Sequence, residues 1–337
     1  MLRWIYVKIA NFRNTLYENG ARKSFPLGAP TIGIGNITAG GTGKTPLVAF
    51  VAEILAKNGE KVCILTRGYR RENPKERVLV SDGEKILADV RTAGDEPFEL
   101  AQKLLGKAIV VADANRVAAG NWAQGAFGVT AFVLDDAFQH RRAKRDLDIV
   151  TIDATNPFGG GKNFLREPLE NLKRADAIVI TRANLVDDIE GLKLKISKFN
   201  SDCPIFTAEN KISELIDLKD FPAKTQSPKT KDPRPILAFC ALGNPHNFFD
   251  QLKQEGFDLA STQKFPDHHF YTQRDVENLE RNANQTGAEI LLTTAKDAVK
   301  LKDLRFNLPC YVATSEMIFD YEKKLRDLID AVYNRKA

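Results

Sequence analysis

The stretch NITAGGTGKTPLVAF, residues 36–50, decides the fold class of this chain. It follows a short β-branched segment, TIGIGN, and continues into a segment of helical periodicity that ends at Gly59. Glycines in the turn permit positive φ, and Lys44 lies where a helix N-terminus attracts anions. The stretch therefore predicts a strand, a phosphate-binding loop and a helix. The predicted nucleotide-binding residues are Thr38, Ala39, Gly40, Gly41, Thr42, Gly43, Lys44 and Thr45.

This loop departs from the consensus G-x-x-x-x-G-K-[ST] at one position, because Thr38 stands where the first glycine is expected. In that consensus, backbone N–H groups wrap the phosphates, the lysine reaches the β and γ groups, and the hydroxyl, here Thr45, binds magnesium. A glycine-rich turn with a chance lysine is the alternative. The agreement of strand, loop and helix favours a working phosphate loop.

The rest of the chain alternates predicted strands and helices, which is typical of a parallel sheet with both faces covered. The segments that read as strands are KVCILTRGY, AIVVAD, VTAFVLDD, LDIVTIDA, ADAIVITRAN, PILAFCAL, AEILLTT and CYVAT. A hairpin is predicted near residues 77–90, turning at Asp82 and Gly83. Residues 207–235, rich in Lys and Pro towards their end, read as a surface connection.

The fold prediction is therefore an α/β protein with a P-loop NTPase-like parallel sheet domain and a second, smaller α/β lobe. The predicted boundaries are 1–25 for an N-terminal helix, 26–225 for the P-loop domain and 226–337 for the smaller lobe. The length of 337 residues agrees with about two cores. Four widely spaced cysteines argue against a disulfide framework or a zinc site.

The N-terminal segment has apolar residues at helical spacing, but Arg3, Lys8 and Arg13 interrupt every apolar run. Such a helix cannot span a bilayer, and it lacks the features of a cleavable signal. Two interpretations remain: a helix packed on its own domain, or a helix in a membrane interface with its cations towards acidic lipid. The net charge of +5 favours anionic partners without choosing among them.

Asp135 and Asp136 follow the apolar run of a predicted strand. Ligands of open α/β sheets bind at the carboxyl ends of the strands, and a phosphate loop needs a nearby acid for its metal. The pair therefore predicts a magnesium site, although two adjacent acids can also form an ordinary turn.

Several further motifs give the sequence a resemblance to a known family. They are GNITAGGTGKTP, TRGYRR, GDEP, LDDAFQH, LREP, FPDHH and KDAVKL, and the start RNTLYENG is also similar. In this order and approximate spacing they resemble the tetraacyldisaccharide 4′-kinases of lipid A biosynthesis, over nearly the whole chain. In that family the loop typically lacks the first consensus glycine, so Thr38 fits the resemblance.

The resemblance implies transfer of the γ-phosphoryl group of ATP to the 4′-hydroxyl of a tetraacyldisaccharide 1-phosphate, forming lipid IVA with Mg²⁺ as cofactor. It also implies a peripheral protein on the cytoplasmic face of the bacterial inner membrane. Its partners would be the lipid disaccharide and the anionic membrane surface. This implication favours the interfacial interpretation of the N-terminal helix, since the acyl chains of the substrate must stay in or near lipid.

The resemblance also assigns roles to individual residues. Asp95 matches an acid that acts with the histidine of the DH pair, here His268, to activate the sugar hydroxyl, while Lys44 stabilises the transferred phosphate. His269 adjoins His268, and the order of residues favours His268. The other implied contacts are Glu167 for magnesium and Arg67, Arg70, Gln139, His140 and Arg166 for substrate or phosphate. Ala295 departs from the family motif, which commonly has Glu before Lys296.

Three rival classes fit the sequence less well. A GTPase would need Asp where Asn184 stands, and an amide has only one acceptor oxygen for the two guanine donors. A membrane ATPase of the partitioning type would not need Asp95 or His268. A nucleic-acid binder is not predicted, because the basic residues are dispersed, and no obligate protein partner is evident.

Overall fold

A computed structural model describes residues 2–69, 71–160, 164–222 and 231–334, without the side chains of residues 2–8 and 334. The chain forms two compact units: residues 1–209 with 317–337, called here the first unit, and residues 210–316, the second unit. The last segment of the chain thus returns to the first unit. Within the described ranges, no helix is long and apolar enough to cross a membrane.

The helices and strands alternate along most of the chain. The helices are α1 (Leu2–Glu18), α2 (Lys44–Lys57), α3 (Val90–Ala93), α4 (Asp95–Lys103), α5 (Arg116–Phe127), α6 (Ile189–Ser197), α7 (Pro245–Gln254), α8 (Gln273–Thr286), α9 (Ala295–Ala298) and α10 (Glu322–Asn334). The strands are β1 (Thr31–Asn36), β2 (Val62–Thr66), β3 (Val78–Ser81), β4 (Ala108–Ala112), β5 (Ala131–Asp135), β6 (Leu147–Asp153), β7 (Ala177–Thr181), β8 (Ile205–Asp217), β9 (Ile236–Cys240), β10 (Leu259–Lys264), β11 (Ile290–Thr294) and β12 (Cys310–Phe319).

The sheet of the first unit has the strand order β8-β7-β6-β1-β5-β2-β4-β3. Strands β8 to β4 in this order pair in parallel, and β3 pairs antiparallel with β4. Because β1 lies between β5 and β6, the residues at their carboxyl ends share one edge of the sheet. This edge carries the loop after β1 and the aspartates at the end of β5, as the sequence predicts.

Helices cover both faces of this sheet, which explains why β1, β2, β4, β5 and β7 are buried at every position. On one face, Leu47 and Val51 of α2 pack with Ile64 of β2 and other fully buried side chains. On the other face, Ala119 of α5 packs with Leu65 of β2. Because side chains pack on both faces, we expect the sheet to be a rigid support for the loop at its edge.

The strands of the second unit follow the order β10-β9-β11-β12-β8. Strands β10, β9, β11 and β12 pair in parallel. Phe239 lies on one face with Leu279 of α8, and Ile236 lies on the other with Leu252 of α7. The predicted α/β class, with a P-loop domain and a smaller α/β lobe, is confirmed.

Two strands were not predicted from the sequence. β8 (Ile205–Asp217) occupies much of the stretch expected to be a surface connection, and β10 (Leu259–Lys264) also escaped prediction. In β8 the buried Phe206 and Ala208 are separated from Ile212 by three polar residues, of which Glu209 and Lys211 are exposed, so no apolar run marks the strand. The Lys- and Pro-rich segment after β8 lies mostly outside the described residues.

The predicted hairpin near residues 77–90 forms only one regular strand, β3. The turn falls at the expected place, because Gly83 has φ 98 and the Asp82 carboxylate accepts hydrogen bonds from the Glu84 and Lys85 N–H groups. The second arm joins β3 through a single bridge between Ser81 and Ile86.

Candidate active site

The loop between β1 and α2 has the backbone conformation that its glycines permit. Gly40 has φ 109 and Gly43 has φ 76, both in a region that side chains disfavour. Gly43 also precedes the first turn of α2, and a Cβ there would lie 3.0 Å from Cγ2 of Thr181. Conformation and space therefore both require glycine at residue 43.

Thr38 occupies a different kind of position, which needs no glycine. It forms an isolated antiparallel bridge with Leu165, and its φ is not positive. On either side of it, the Ala39 N–H donates to the Phe164 carbonyl and the Arg166 N–H donates to the Ile37 carbonyl, both at 2.7 Å. A β-branched residue suits this extended pairing. The missing consensus glycine is thus explained by the segment that pairs with the loop.

Side chains from the strands hold the loop in place. Asn36 Nδ2 at the end of β1 donates to the Thr38 carbonyl at 2.6 Å and to Thr42 Oγ1 at 2.9 Å. Thr42 Oγ1 in turn lies 2.9 Å from Thr151 Oγ1 of β6. These groups are buried, so the loop has its shape before any ligand binds.

Asp136 is the meeting point of two cations. Its Oδ1 lies 2.6 Å from an Arg166 guanidinium nitrogen and 3.5 Å from Lys44 Nζ. Burial would raise the pKa of Asp136, but Lys44 and Arg166 outweigh it and hold this pKa below its usual value. Asp136 is therefore ionised at neutral pH, and it connects the loop lysine to the LREP segment.

Asp135 has a contrasting environment. Its Oδ2 accepts a hydrogen bond from Thr66 Oγ1 at 3.0 Å, whereas its buried Oδ1 has no partner among the described residues. Burial raises the pKa of Asp135 to about 7; the carboxylates of Glu96 and Asp136 act in the same direction, and Lys44 opposes them. A cation near this oxygen would restore the ionised form.

The residues present fit a magnesium ion. Among the described residues no group of three or more His, Cys, Asp or Glu side chains forms a metal cage. Magnesium bound with a nucleotide needs none, because phosphate oxygens and waters complete its shell around one or two protein ligands. Asp135, with its unpaired oxygen, and Thr45, the second residue of α2, are the side chains that would hold it.

The GDEP and TRGYRR motifs pack against each other in the first unit. Gly94 has φ 91, and a Cβ there would lie 3.0 Å from the Tyr69 carbonyl oxygen. Asp95 begins α4 and is buried, with 6% of its surface exposed. Arg67 is exposed, and Arg70 lies outside the described residues. Arg71 donates to the carbonyls of Ala112 and Pro74, so this arginine has a structural task.

Gln139 and His140 lie three and four residues after Asp136. Gln139 Nε2 donates to the Asn36 carbonyl at 2.8 Å, which fixes Gln139 to the end of β1. Burial, together with the charges of Arg116 and Arg145, lowers the pKa of His140 to about 4. His140 is therefore neutral at neutral pH and would meet a substrate by hydrogen bonding and packing.

Glu167 is placed among partners that suit an anchor. It is fully buried, and its Oε2 accepts hydrogen bonds from Asn14 of α1 at 2.8 Å, from Asn171 at 2.9 Å and from Arg174. Its Oε1 lies 3.7 Å from an Arg13 guanidinium nitrogen. The expected magnesium role of Glu167 stays a prediction. The contacts observed connect α1 to the LREP segment.

The two histidines of FPDHH in the second unit differ in their surroundings. His268 has φ 64, and its Nε2 lies 3.5 Å from Asp267 Oδ2, while Lys296 Nζ lies 3.4 Å from Asp267 Oδ1. His269 Nε2 lies 3.1 Å from Asp275, and its ring stacks on Phe265 at 4.9 Å. The contacts of His269 are those of a packing residue, which favours His268 for a chemical role.

Comparison with known proteins identifies the family. A sequence model of the family described as Tetraacyldisaccharide-1-P 4'-kinase matches residues 1–334. The chain belongs to this family. The resemblance drawn from the motifs is thereby confirmed.

Relatives of this kinase family match most of the chain. A tetraacyldisaccharide 4'-kinase of Halothermothrix orenii is 36% identical over 337 residues, covering 94% of this chain and 87% of the relative. One of Geobacter metallireducens is also 36% identical, and the match covers 97% of this chain and 95% of the relative. A solved structure described as the "apo" form of LpxK from Aquifex aeolicus in complex with ATP matches with a TM-score of 0.78 and 32% identity, covering 98% and 97%.

Two residues near the aspartates of this kinase-family chain escaped sequence reasoning. Arg116, the first residue of α5, is 3% exposed; burial lowers its pKa, and the charges of Asp135 and Asp136 offset only part of this effect. Glu96 lies close enough to Asp135 to influence its pKa. Arg116 begins α5, four residues after the end of β4 in VVADANR, so the rule that ligands bind at the carboxyl ends of the strands could have drawn attention to this loop.

Proposed function

We propose that this chain transfers the γ-phosphoryl group of ATP to the 4′-hydroxyl of a tetraacyldisaccharide 1-phosphate, producing lipid IVA in lipid A biosynthesis. The bond from the γ-phosphorus to the β,γ-bridging oxygen breaks, a bond to the acceptor oxygen forms, and the acceptor proton leaves to a base. The observation that supports the proposal is membership of the kinase family over residues 1–334, together with the preformed loop after β1.

The first unit supplies the groups for the ATP phosphates. The N–H groups of residues 40–45 and the Lys44 ammonium would bind the phosphates, as in other phosphate loops, whereas the Ala39 N–H already donates to the Phe164 carbonyl. The Arg166 guanidinium contacts the same Asp136 oxygen as Lys44, so it is near enough to the loop lysine to bind a phosphate oxygen. Magnesium, held by Thr45 and Asp135, would neutralise charge on the phosphates.

We also propose that Asp95 and His268 take part in activating the acceptor hydroxyl. Asp95 is buried at the start of α4, where the helix N-terminus stabilises a carboxylate. His268 is held in a left-handed conformation next to Asp267, and a non-glycine residue with such a φ often marks a functional site. A carboxylate and an imidazole are each able to accept a hydroxyl proton near neutral pH.

The membrane contact that we propose is a face of α1 and the adjoining segment. Ile9 is 61% exposed, Phe12 67% and Phe25 44%. Exposed cations lie near Phe25 in the chain or pair with its backbone segment, and they are Arg22, Lys23, Arg142 and Lys144. Apolar side chains at the acyl boundary with cations at the headgroups fit an anionic membrane surface. The site proposed for this contact in the cell is the cytoplasmic face of the inner membrane.

The central experiment follows ³²P from γ-labelled ATP into a lipid disaccharide 1-phosphate in mixed micelles. We expect labelled product that depends on both the acceptor and Mg²⁺. ATP hydrolysis without any transfer to the acceptor would instead favour a membrane ATPase and would contradict the kinase proposal.

The role of the acceptor-activating residues is tested in the same assay with Asp95→Asn and His268→Ala. We expect transfer to fall at least a hundredfold in each, while ATP binding stays near wild type. Asp187→Asn and His246→Ala, at exposed positions of the same two units, are the matched controls. Unchanged transfer in both test variants would remove these residues from the mechanism.

The membrane contact is tested by flotation with anionic vesicles. Ile9→Ser with Phe12→Ser should lower the bound fraction several-fold, whereas Leu194→Ser, at a residue equally exposed as Phe12 at 67%, should not. Removing residues 1–19 should release the protein. Persistent binding of the truncated protein would place the contact elsewhere.

A further inference from the structure

Two consecutive residues at the end of β7 hold two consecutive carbonyl groups of the phosphate loop. Thr181 Oγ1 donates to the Thr42 carbonyl at 3.0 Å, and an Arg182 guanidinium nitrogen donates to the Gly41 carbonyl at 3.0 Å. None of the roles described above uses Arg182. The sequence presents it only within VITRAN, where a GTPase would carry its guanine-selecting element.

Arg182 is held firmly in this place. The guanidinium nitrogen that contacts Gly41 also lies 2.6 Å from Asp153 Oδ2 at the end of β6, and the Arg182 side chain is only 16% exposed. The other oxygen of Asp153 accepts hydrogen bonds from the Thr155 N–H at 3.0 Å and from Thr155 Oγ1 at 2.8 Å. Every oxygen of Asp153 thus has a donor, and the pair forms a fixed support.

The backbone of Arg182 shows that this placement costs conformational energy. Its φ of 57 and ψ of 37 are left-handed, and only three described non-glycine residues have a positive φ: Asp136, Arg182 and His268. A non-glycine residue keeps such a conformation only when its surroundings determine it. The ion pair to Asp153 and the bond to the loop are the contacts that do so.

The physical consequence concerns the direction of the loop's dipoles. A phosphate loop binds its anion through N–H groups, and a carbonyl oxygen turned inward would repel the phosphates. The donors of Thr181 and Arg182 fix the oxygens of residues 42 and 41 against β7. We propose that Arg182, supported by Asp153, is a positioning residue that sets the loop for the ATP phosphates. This inference rests on ATP as the donor and not on the identity of the acceptor.

The test measures ATP binding directly, by calorimetry without any lipid acceptor. Arg182→Met should weaken ATP binding at least tenfold and raise KM for ATP, while KM for the acceptor stays unchanged. Arg182→Lys should recover most of the affinity, because an ammonium group can still donate to Gly41 and Asp153. Arg234→Met removes a comparable ion pair, to Asp232 at 2.7 Å in the second unit, and should leave ATP binding unchanged.

A double variant separates positioning from the damage of an unpaired buried acid. Arg182→Met with Asp153→Asn carries no lone carboxylate, so its folding should be near wild type while its ATP affinity stays low. Wild-type ATP affinity in either variant would overturn the proposal. Because ATP binding is read without acceptor, a failure of phosphoryl transfer to the disaccharide would leave this result intact.

Discussion

Glu167→Gln tests whether this buried carboxylate is an anchor or a metal ligand. The substitution keeps the shape of the side chain and removes its charge. In the first unit, Glu167 Oε2 accepts from Asn14, Asn171 and Arg174, and Arg13 lies 3.7 Å from Oε1. Glutamine can accept only through one oxygen, and its amide would point hydrogens towards cationic donors.

The magnitude follows from the burial of the pair. Glu167 is fully buried and the Arg174 side chain is 12% exposed. In the variant, Arg174 would lose its charged partner, and little water could reach the guanidinium to replace it. Breaking a buried ion pair by removing one partner costs about 3–5 kcal/mol. Since glutamine retains part of the hydrogen bonding, we expect a loss of about 3 kcal/mol in the free energy of unfolding, more than a hundredfold in the equilibrium.

The assay is urea unfolding followed by circular dichroism, in EDTA and again with Mg²⁺. Glu170→Gln, an exposed acid three residues further on, is the control and should stay within about 0.5 kcal/mol of wild type. If Glu167→Gln were as stable as wild type in EDTA but needed tenfold more Mg²⁺ for phosphoryl transfer, the anchor would be refuted and the metal role supported.

Three further predictions follow from local geometry. Gly43→Ala should weaken ATP binding at least tenfold in calorimetry, because the φ of 76 is left-handed and a Cβ would lie 3.0 Å from the Thr181 side chain. The control is Gly59→Ala, where φ is 86 and no atom lies within 4 Å of a Cβ; it should strain the backbone and leave the ATP affinity unchanged. Gly35→Ala places a Cβ 2.5 Å from the Phe138 nitrogen and should lower the free energy of unfolding by about 1–3 kcal/mol in urea titrations. The pKa of His140 is about 4 in the folded state against 6.5 unfolded, so the unfolded chain takes up the proton first and stability should fall as pH drops from about 6.5 to 4; by pH 5 the loss is about 2 kcal/mol, absent in His140→Gln.

Sequence patterns predicted the parts of this chain whose signal is local. The run before Asp135 and the glycines before Lys44 mark a strand end and a helix start, and the structure places both at one edge of the sheet. β8 escaped because its buried positions are separated by polar residues, so the pairing partners decide its conformation rather than its own composition.

The functional contacts of Arg182 and Glu167 could not be predicted for a different reason. Arg182 stands at the end of a predicted strand and Glu167 in the LREP motif, and an exposed position is the ordinary expectation for a charged residue. Both residues are buried because partners distant in sequence reach them in the folded chain. Arg182 contacts Gly41 and Asp153, and Glu167 accepts from Asn14. No spacing within one segment carries this information.

The LREP segment makes the N-terminal helix and the phosphate loop parts of one assembly in the first unit. Leu165 pairs with Thr38, Arg166 contacts Asp136, and Glu167 accepts from Asn14 of α1. Removing residues 1–19 therefore takes away both the exposed apolar face and a partner of the buried Glu167. Loss of transfer in the truncated protein would not by itself measure membrane binding. Substitution of the exposed Ile9 and Phe12 side chains leaves Asn14 in place, so a defect confined to vesicle and micelle assays in that variant isolates the membrane contribution.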